Sequence, residues 1–181
     1  SSKLLTYSDG KVDSHIFRDL ASFLPSGAMM VFNDTKVVPA RLFFRRATGA
    51  HIEIFCLEPV SPAEYNTNFA ATSTCRWKCV IGNAKRWKDD VISYDVDGGE
   101  LAQMQLSARL IDRDGQTGTV EFTWLGGAPF SKVLELCGRV PIPPYLNRET
   151  EQIDLERYQT LYAHIRGSVA APPAGLHFTE R

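Results

Sequence analysis

No apolar run in this 181-residue sequence is long enough to cross a bilayer, and its first residues do not read as a signal peptide. Charge of one sign is missing too. The net charge is −1, so no overall basic field advertises nucleic acid, and any such contact needs a local patch. Cysteine is scarce and unpaired in spacing. Cys56, Cys75, Cys79 and Cys137 contain no CxxC, and although Cys75 and Cys79 lie close in sequence, no second Cys/His pair completes a zinc pattern. The expectation is free thiols in a reducing, cytoplasmic compartment, with no metal. Also absent are GxGxxG, a phosphate-binding P-loop, HExxH and GxSxG, which takes weight from dinucleotide, nucleotide-triphosphate, zinc-hydrolase and serine-nucleophile chemistry.

What is present supports a packed core: 44% of the residues are hydrophobic. Ser14 is placed to cap a helix whose apolar face is Ile16, Phe17, Leu20, Phe23 and Leu24, ended by Pro25-Ser26-Gly27. "AMMVFNDTKVVPARLFF" then reads as two strands broken at Asn33-Asp34-Thr35, with Pro39 marking an edge or bulge. The middle changes character. "HIEIFCLE", "RWKCVIG", "VISYDV", "MQLSARLID" and "TVEFTW" are short, alternating and rich in β-formers. They predict a small antiparallel barrel or sandwich over 48–128. Helical signals resume at Ser131–Cys137, stopped by Gly138. "RVPIPPYLNR" is a proline-stiffened extended stretch. Asp154 is placed to cap a helix bearing Leu155, Tyr158, Leu161, Tyr162 and Ile165, ended by Gly167. The expected class is α+β: a discontinuous α/β domain, 1–47 and 129–181, interrupted by an inserted antiparallel barrel-like domain.

Three segments concentrate polar groups. In "VFNDTKVVPARL" (31–42), Asn33, Asp34, Lys36 and Arg41 sit between apolar strands. This is either a polar turn with Asp34 bonding its own backbone, or a carboxylate and cation pair at a strand end, where α/β proteins bind ligands. "GRVPIPPYLNR" (138–148) is either a rigid linker or a presentation of Tyr145 for stacking and Arg148 as an anion clamp. "RYQTLYAHIRGSVAAPPAGLHFT" (157–179) ends in a run too rich in proline for a helix and in small side chains for a core. Small residues let backbone N–H groups approach a ligand, and Ser168, His177 and Thr179 would be its polar fingers. The alternative is a packed structural crossing.

These three blocks, in this order, resemble the S-adenosylmethionine:tRNA ribosyltransferase-isomerases of queuosine biosynthesis, and "SSKLL" resembles a segment near that family's N-terminus. Pro173 stands where the family typically has Thr. The resemblance implies a chain longer than this one, with part of the active-site wall beyond Arg181 and no activity from residues 1–181 alone. That reading agrees with a chain that opens on Ser1 and closes on a helix cap, Thr179, without its helix. The implied reaction moves the ribosyl group of S-adenosylmethionine onto 7-aminomethyl-7-deazaguanine at the tRNA wobble position, giving epoxyqueuosine and releasing adenine and methionine. S-adenosylmethionine is then a substrate, and no cofactor is needed. A base must take a proton beside the sulfonium and a donor must help adenine leave. His177 or Asp34 is the candidate for proton transfer. Lys36, Arg41 and Arg148 are candidates for substrate or phosphate contacts, Tyr145 for stacking on a base, and Ser168, Gly175 and Thr179 for holding substrate oxygens. "RWK" (76–78) and "KRWK" (85–88) interleave basic residues with Trp, as a strand-binding surface would. A solvated turn with a half-buried Trp is the plainer reading. A non-catalytic RNA-binding module built on the β domain is the competing function.

Overall fold

Alternation decides most of the architecture. In a strand, successive side chains face opposite ways, so "RLFFR", "HIEIFC" and "TCRWKCVIG" each send every second residue inward. The computed structural model describes residues 2–88, 90–94, 103–139, 153, 158–168 and 172–180. Ten strands occur among these residues. β1 (Lys3–Ser8) and β2 (Lys11–Ile16) form a hairpin, and β3 (Thr35–Val37) stands apart. β4 (Arg41–Arg45), β5 (His51–Ser61), β6 (Thr74–Gly82), β7 (Ile92–Tyr94), β8 (Ser107–Asp114) and β9 (Thr117–Thr123) close into an antiparallel barrel in the order β4-β5-β6-β9-β8-β7. β10 (Ile165–Ser168) pairs in parallel with β3. Closure leaves the barrel no free edge.

The barrel interior is filled by Leu42, Phe44, Ile52, Ile54, Cys56, Trp77, Cys79, Ile81, Ala108, Val120 and Phe122, each at most 1% exposed. Helices α1 (Leu20–Phe23), α2 (Tyr65–Phe69) and α3 (Phe130–Cys137) accompany the sheets. In α3 the residues Phe130, Val133, Leu134 and Cys137 share one face and are buried. Phe130 stacks obliquely at 5.3–5.9 Å from Trp124, Phe122 and Trp77, so α3 plugs one end of the barrel. Glu64 caps α2 by accepting from the N–H groups of Asn66 and Thr67. Those bonds, that of Asn66 foremost, hold its carboxyl below the ordinary glutamate range.

The plug depends on one buried amide. Asn68 is fully buried; its Oδ1 accepts from Trp77 Nε1 at 2.7 Å, and its Nδ2 donates to Pro62 O at 2.7 Å. Asn68→Ala strands a buried indole N–H and a carbonyl together, which costs about 2–4 kcal/mol. Chemical denaturation should show this loss, and Asn68→Asp should not restore it, because a carboxylate cannot donate to Pro62 O.

The barrel begins earlier than the turn chemistry suggests, at Arg41. The break in "AMMVFNDTKVVPARLFF" lies at Val38–Ala40, where proline interrupts the ladder, and residues 28–34 are not a strand. Chain entry and exit meet here: Arg41 N–H donates to Arg139 O (3.2 Å), and Arg139 N–H to Arg41 O (2.8 Å). Two helix expectations fail. Ser14 lies in β2, not at a helix cap, because Asp9 and Gly10 (φ +51° and +78°) make a tight hairpin turn that commits residues 3–16 to strands. Only one helical turn, α1, follows. Of the helix expected from Asp154, residues 154–157 lie outside the described ones. Residues 158–164 form turns and Ile165 starts β10, so Leu161 and Tyr162 are not on a helical face.

The four thiols are buried and unpaired by disulfide, as the spacing implies. Burial pushes Cys75 and Cys79 well above the ordinary thiol range and Cys137 up to about 11, which leaves them unreactive. One surface is unusually apolar. On one face of the β1–β2 hairpin, Leu5, Tyr7 and Val12 are 72%, 74% and 60% exposed, and nearby in sequence Met29 and Val31 are 89% and 87% exposed. An isolated hairpin is marginal in water, and so large an apolar patch marks a contact surface.

Candidate active site

The polar segments singled out in the sequence are joined in space. β3 carries Lys36 and pairs with β10 in the register Thr35–Ile165, Lys36–Arg166 and Val37–Ser168. Gln159 then clips Val37: its Oε1 accepts from Val37 N–H at 2.9 Å and its Nε2 donates to Val37 O at 2.8 Å. A side-chain amide thus stands in for a neighbouring strand. His164 N–H donates to Asp34 O at 2.7 Å. It is Asn33, not Asp34, that makes the local turn, its Oδ1 accepting from Thr35 N–H (2.9 Å) and Thr35 Oγ1 (2.6 Å). The exposed Asp34 carboxylate is left out of that turn.

Beyond β10 the proline-rich run does contain a helical turn. Residues 173–177 form one 3-10 turn with Pro at its first position, where the missing N–H costs nothing. Gly175 within it is buried, and it is not at positive φ. A Cβ there would fall against Tyr162 Oη and come within 2.7 Å of Thr160 Cγ2. Close packing, rather than a left-handed backbone or reach toward a ligand, explains this glycine. Thr160 is 6% exposed, and its Oγ1 has no hydrogen-bond partner among the described residues.

The turn forms one wall of a cleft of about 790 Å³. The opposite wall is residues Phe17–Leu24, which include α1. Polar groups at the cleft are Ser2, Arg18, His177, Thr179 and Glu180; Phe17, Leu24, Met30, Leu176 and Phe178 supply apolar surface. Ser2 Oγ lies 2.8 Å from His177 Nδ1. The imidazole packs 5.7 Å from the Phe17 ring. Behind it Phe178 meets Phe17, Phe32 and Tyr162 at 5.0, 5.1 and 6.1 Å. This aromatic cluster fixes the His177 wall to residues 28–34.

Of the residues named from sequence, His177 and Thr179 line the cleft. Gly175 is packed behind it. Asp34 and Lys36 lie at the start of β3, outside the cleft lining but tied to the same wall through β10 and His164. Arg41 stands on the barrel, with Nε 3.0 Å from Glu53 Oε1 in an ion contact that lacks hydrogen-bond alignment, and with its guanidinium 6.0 Å from the Phe55 ring. Ser168 ends β10. Tyr145 and Arg148 lie outside the described residues. Sequence reasoning missed Ser2, Arg18, Gln159, Thr160 and Glu180. Gln159 and Thr160 sit inside a stretch that carried its own signal, and Glu180 directly follows it. Nothing local marks Arg18. The tryptophans of "RWK" and "KRWK" are not stacking surfaces: Trp77 and Trp87 are 0% and 2% exposed, because strand alternation and the barrel end turn both inward. Arg76 and Lys78 are engaged by Glu121 and Glu58.

A family profile described as "Queuosine biosynthesis protein" matches residues 1–181. The chain belongs to that family. It is 39% identical over 168 residues to a protein of Trichlorobacter lovleyi, covering 91% of this chain and 42% of the relative. With a protein of Pelobacter propionicus it shares 38% over 179 residues, covering 97% and 46%. With one of Gloeobacter violaceus it shares 39% over 172 residues, covering 94% and 43%. All three relatives are named S-adenosylmethionine:tRNA ribosyltransferase-isomerase. The chain spans less than half the length of each. No solved structure matches it.

Proposed function

We propose that these residues form part of an S-adenosylmethionine:tRNA ribosyltransferase-isomerase. It transfers the ribosyl group of S-adenosylmethionine to the aminomethyl group of 7-aminomethyl-7-deazaguanine at the tRNA wobble position, and adenine and methionine leave as the ribose rearranges to the epoxycyclopentane-diol of epoxyqueuosine. The observation that carries this reading is the match over residues 1–181 to the family and to relatives bearing that name. The joining of 31–42 to 157–168 by β3 and β10 supports it, since one wall then gathers the segments that carry the resemblance.

In this scheme His177 or Asp34 takes the proton beside the sulfonium, and the apolar cleft surface excludes water from the sugar. Thr179 and Ser168 hold substrate oxygens, and Lys36, Arg41 and Arg148 answer anionic groups. Tyr145 stacks on a base. S-adenosylmethionine is consumed as a substrate, and the chemistry calls for no cofactor. The barrel is an insertion drawn at the Arg41–Arg139 bridge, within a catalytic part that runs from 1 to about 40 and resumes after 139. The apolar hairpin face is where the remainder of a family-length chain packs. The reaction belongs to a cytoplasmic protein acting on tRNA.

The deciding assay gives the full chain S-adenosylmethionine and tRNA bearing the aminomethyl base. Adenine and methionine should appear in equal amounts with loss of the free amine. Methyl transfer, or no adenine at all, would sink the reading.

A further inference from the structure

The end of the barrel opposite α3 presents a rim that the proposed chemistry leaves unused. Strand pairing defines it. Arg45 lies across from His51 and beside Ser93, β6 ends at Gly82 across from Glu53, and Asp114 pairs with Thr117. Residues 83–90 run over this end. Trp87 is sunk into it, with its Nε1 donating to Asp90 O at 2.9 Å.

The rim's cations divide into two kinds. Arg46 and Arg113 work as staples. Arg46 donates to Arg86 O and to Asp90 Oδ2 (2.8 Å), and Arg113 donates to Ala84 O at 2.7 Å. Asn83, in the left-handed region at φ +56°, donates from Nδ2 to His51 O at 3.3 Å. Most of these bonds consume main-chain carbonyls rather than carboxylates, and they hold 83–88 in one course. The second kind is what the staples display: Lys85, Arg86 and Lys88 are exposed, and none has an ion-pair partner among the described residues. Elsewhere on the barrel, Arg41, Arg76, Lys78 and Arg109 each face a glutamate. The rim's own carboxylates are partly engaged: Asp90 by Arg46, and Asp112 by Thr119 N–H at 3.1 Å. Asp114 and, in sequence, Asp89 offset some of the charge. Beside the cations a shallow cleft of about 300 Å³ holds Arg45, Arg46, Ser93 and Tyr94.

We propose that this rim, through Lys85, Arg86 and Lys88, is a phosphate-contacting surface for the RNA substrate. A row of exposed cations without carboxylate partners suits a polyanion, whose affinity comes from neutralised phosphates and released counterions. It does not suit a small ligand, which needs enclosure. Holding the row rigid lowers the ordering cost of each contact. No base is read here, since both tryptophans are internal, so the contact positions the RNA without choosing its sequence. The inference rests on the proposed activity toward tRNA.

The test compares the full chain with its Lys85→Ser/Arg86→Ser/Lys88→Ser variant, using tRNA bearing the aminomethyl base over a salt series. The variant should bind about tenfold or more weakly at low salt. The slope of log affinity against log salt should shrink by about two units, at roughly 0.7–0.9 per lost contact. Turnover at saturating tRNA and the S-adenosylmethionine requirement should stay unchanged. Lys78→Ser with Lys132→Ser, cations elsewhere on the molecule, should leave the slope alone. An unchanged slope in the triple variant overturns the rim while wild-type adenine release keeps the activity standing. An equal change from the Lys78 and Lys132 pair overturns it in favour of net charge. Absence of adenine release by the wild type sinks both. Should the triple variant melt lower, Lys88→Glu alone gives the same reading, with a slope at least one contact shallower expected.

Discussion

His177→Ala in the full chain is expected to lower turnover by about 10²–10⁴-fold, the range supplied by a positioned proton-transfer group. Melting should shift little, since an exposed side chain outside the core changes stability by about 0.5 kcal/mol or less. The expectation rests on geometry. The imidazole lines the cleft, its Nδ1 is occupied by Ser2 Oγ at 2.8 Å, and Phe17 packs against the ring. One nitrogen is therefore oriented by the protein, and Nε2 has no partner among the described residues. A ring held in this way suits proton transfer better than a freely rotating one. Asp34→Asn is the matched comparison, because that carboxylate lies on the same wall without lining the cleft. A large turnover loss in Asp34→Asn with near-normal His177→Ala would reassign the base to Asp34. Parallel losses of melting and turnover in His177→Ala would make the imidazole scaffold. Ser2→Ala should reproduce a fraction of the His177 effect, in turnover rather than in substrate affinity, as loss of orientation alone would.

The barrel was legible because a half-buried strand writes its burial directly into alternating residues. Leu42 and Phe44, Ile52 and Ile54, and Val120 and Phe122 all point inward as the pattern requires. The α3 helix was legible for the same reason at a different period. The errors share a cause. Ile16, Phe17, Leu20, Phe23 and Leu24 do have helical spacing, yet Asp9-Gly10 sets a two-residue turn and cross-strand pairing takes Lys11–Ile16 first. Tyr158, Leu161, Tyr162 and Ile165 also repeat at helical spacing, but their partners are remote: Val37 for Tyr158, and Phe32 and Phe178 for Tyr162. Tertiary contacts override the local period there. "RWK" failed as a nucleic-acid motif because composition does not say which way a strand residue faces, whereas the alternation with Cys75 and Cys79 did. The polar segments announced themselves by being too small and too polar for a core. Their joining through β3 and β10 could not be read, since a parallel pairing across more than a hundred residues leaves no local trace.

Gly138→Ala should be the most damaging single methyl in the described structure. Helix α3 ends there, and a glycine at that place usually serves a left-handed cap. Gly138 instead is extended, at φ −85° and ψ 159°, a conformation open to any residue. Space is what it supplies. A Cβ would land on the Pro39 carbonyl oxygen and 2.6 Å from Leu134 O. Both obstacles are backbone, so no rotamer change relieves them. The chain cannot retreat easily either: Gly138 N–H donates to Leu134 O at 2.8 Å, and the next residue is bonded both ways to Arg41, where the barrel begins. Relief must therefore break the helix end or the Arg41–Arg139 bridge. The cost should reach about 3 kcal/mol, the upper part of the usual overpacking range. For a chain of this size that lowers the melting temperature by roughly 6–12 °C. Gly49→Ala is the control for backbone conformation alone, because Gly49 sits at φ +83° with nothing within 4 Å of where a methyl would stand. It should cost only about 1–2 kcal/mol. If Gly138→Ala melts with the wild type, or no lower than Gly49→Ala, the close approach of the Pro39 carbonyl is not a constraint on the fold. Its coupling of the barrel's first strand to the segment that follows α3 would then have to be abandoned.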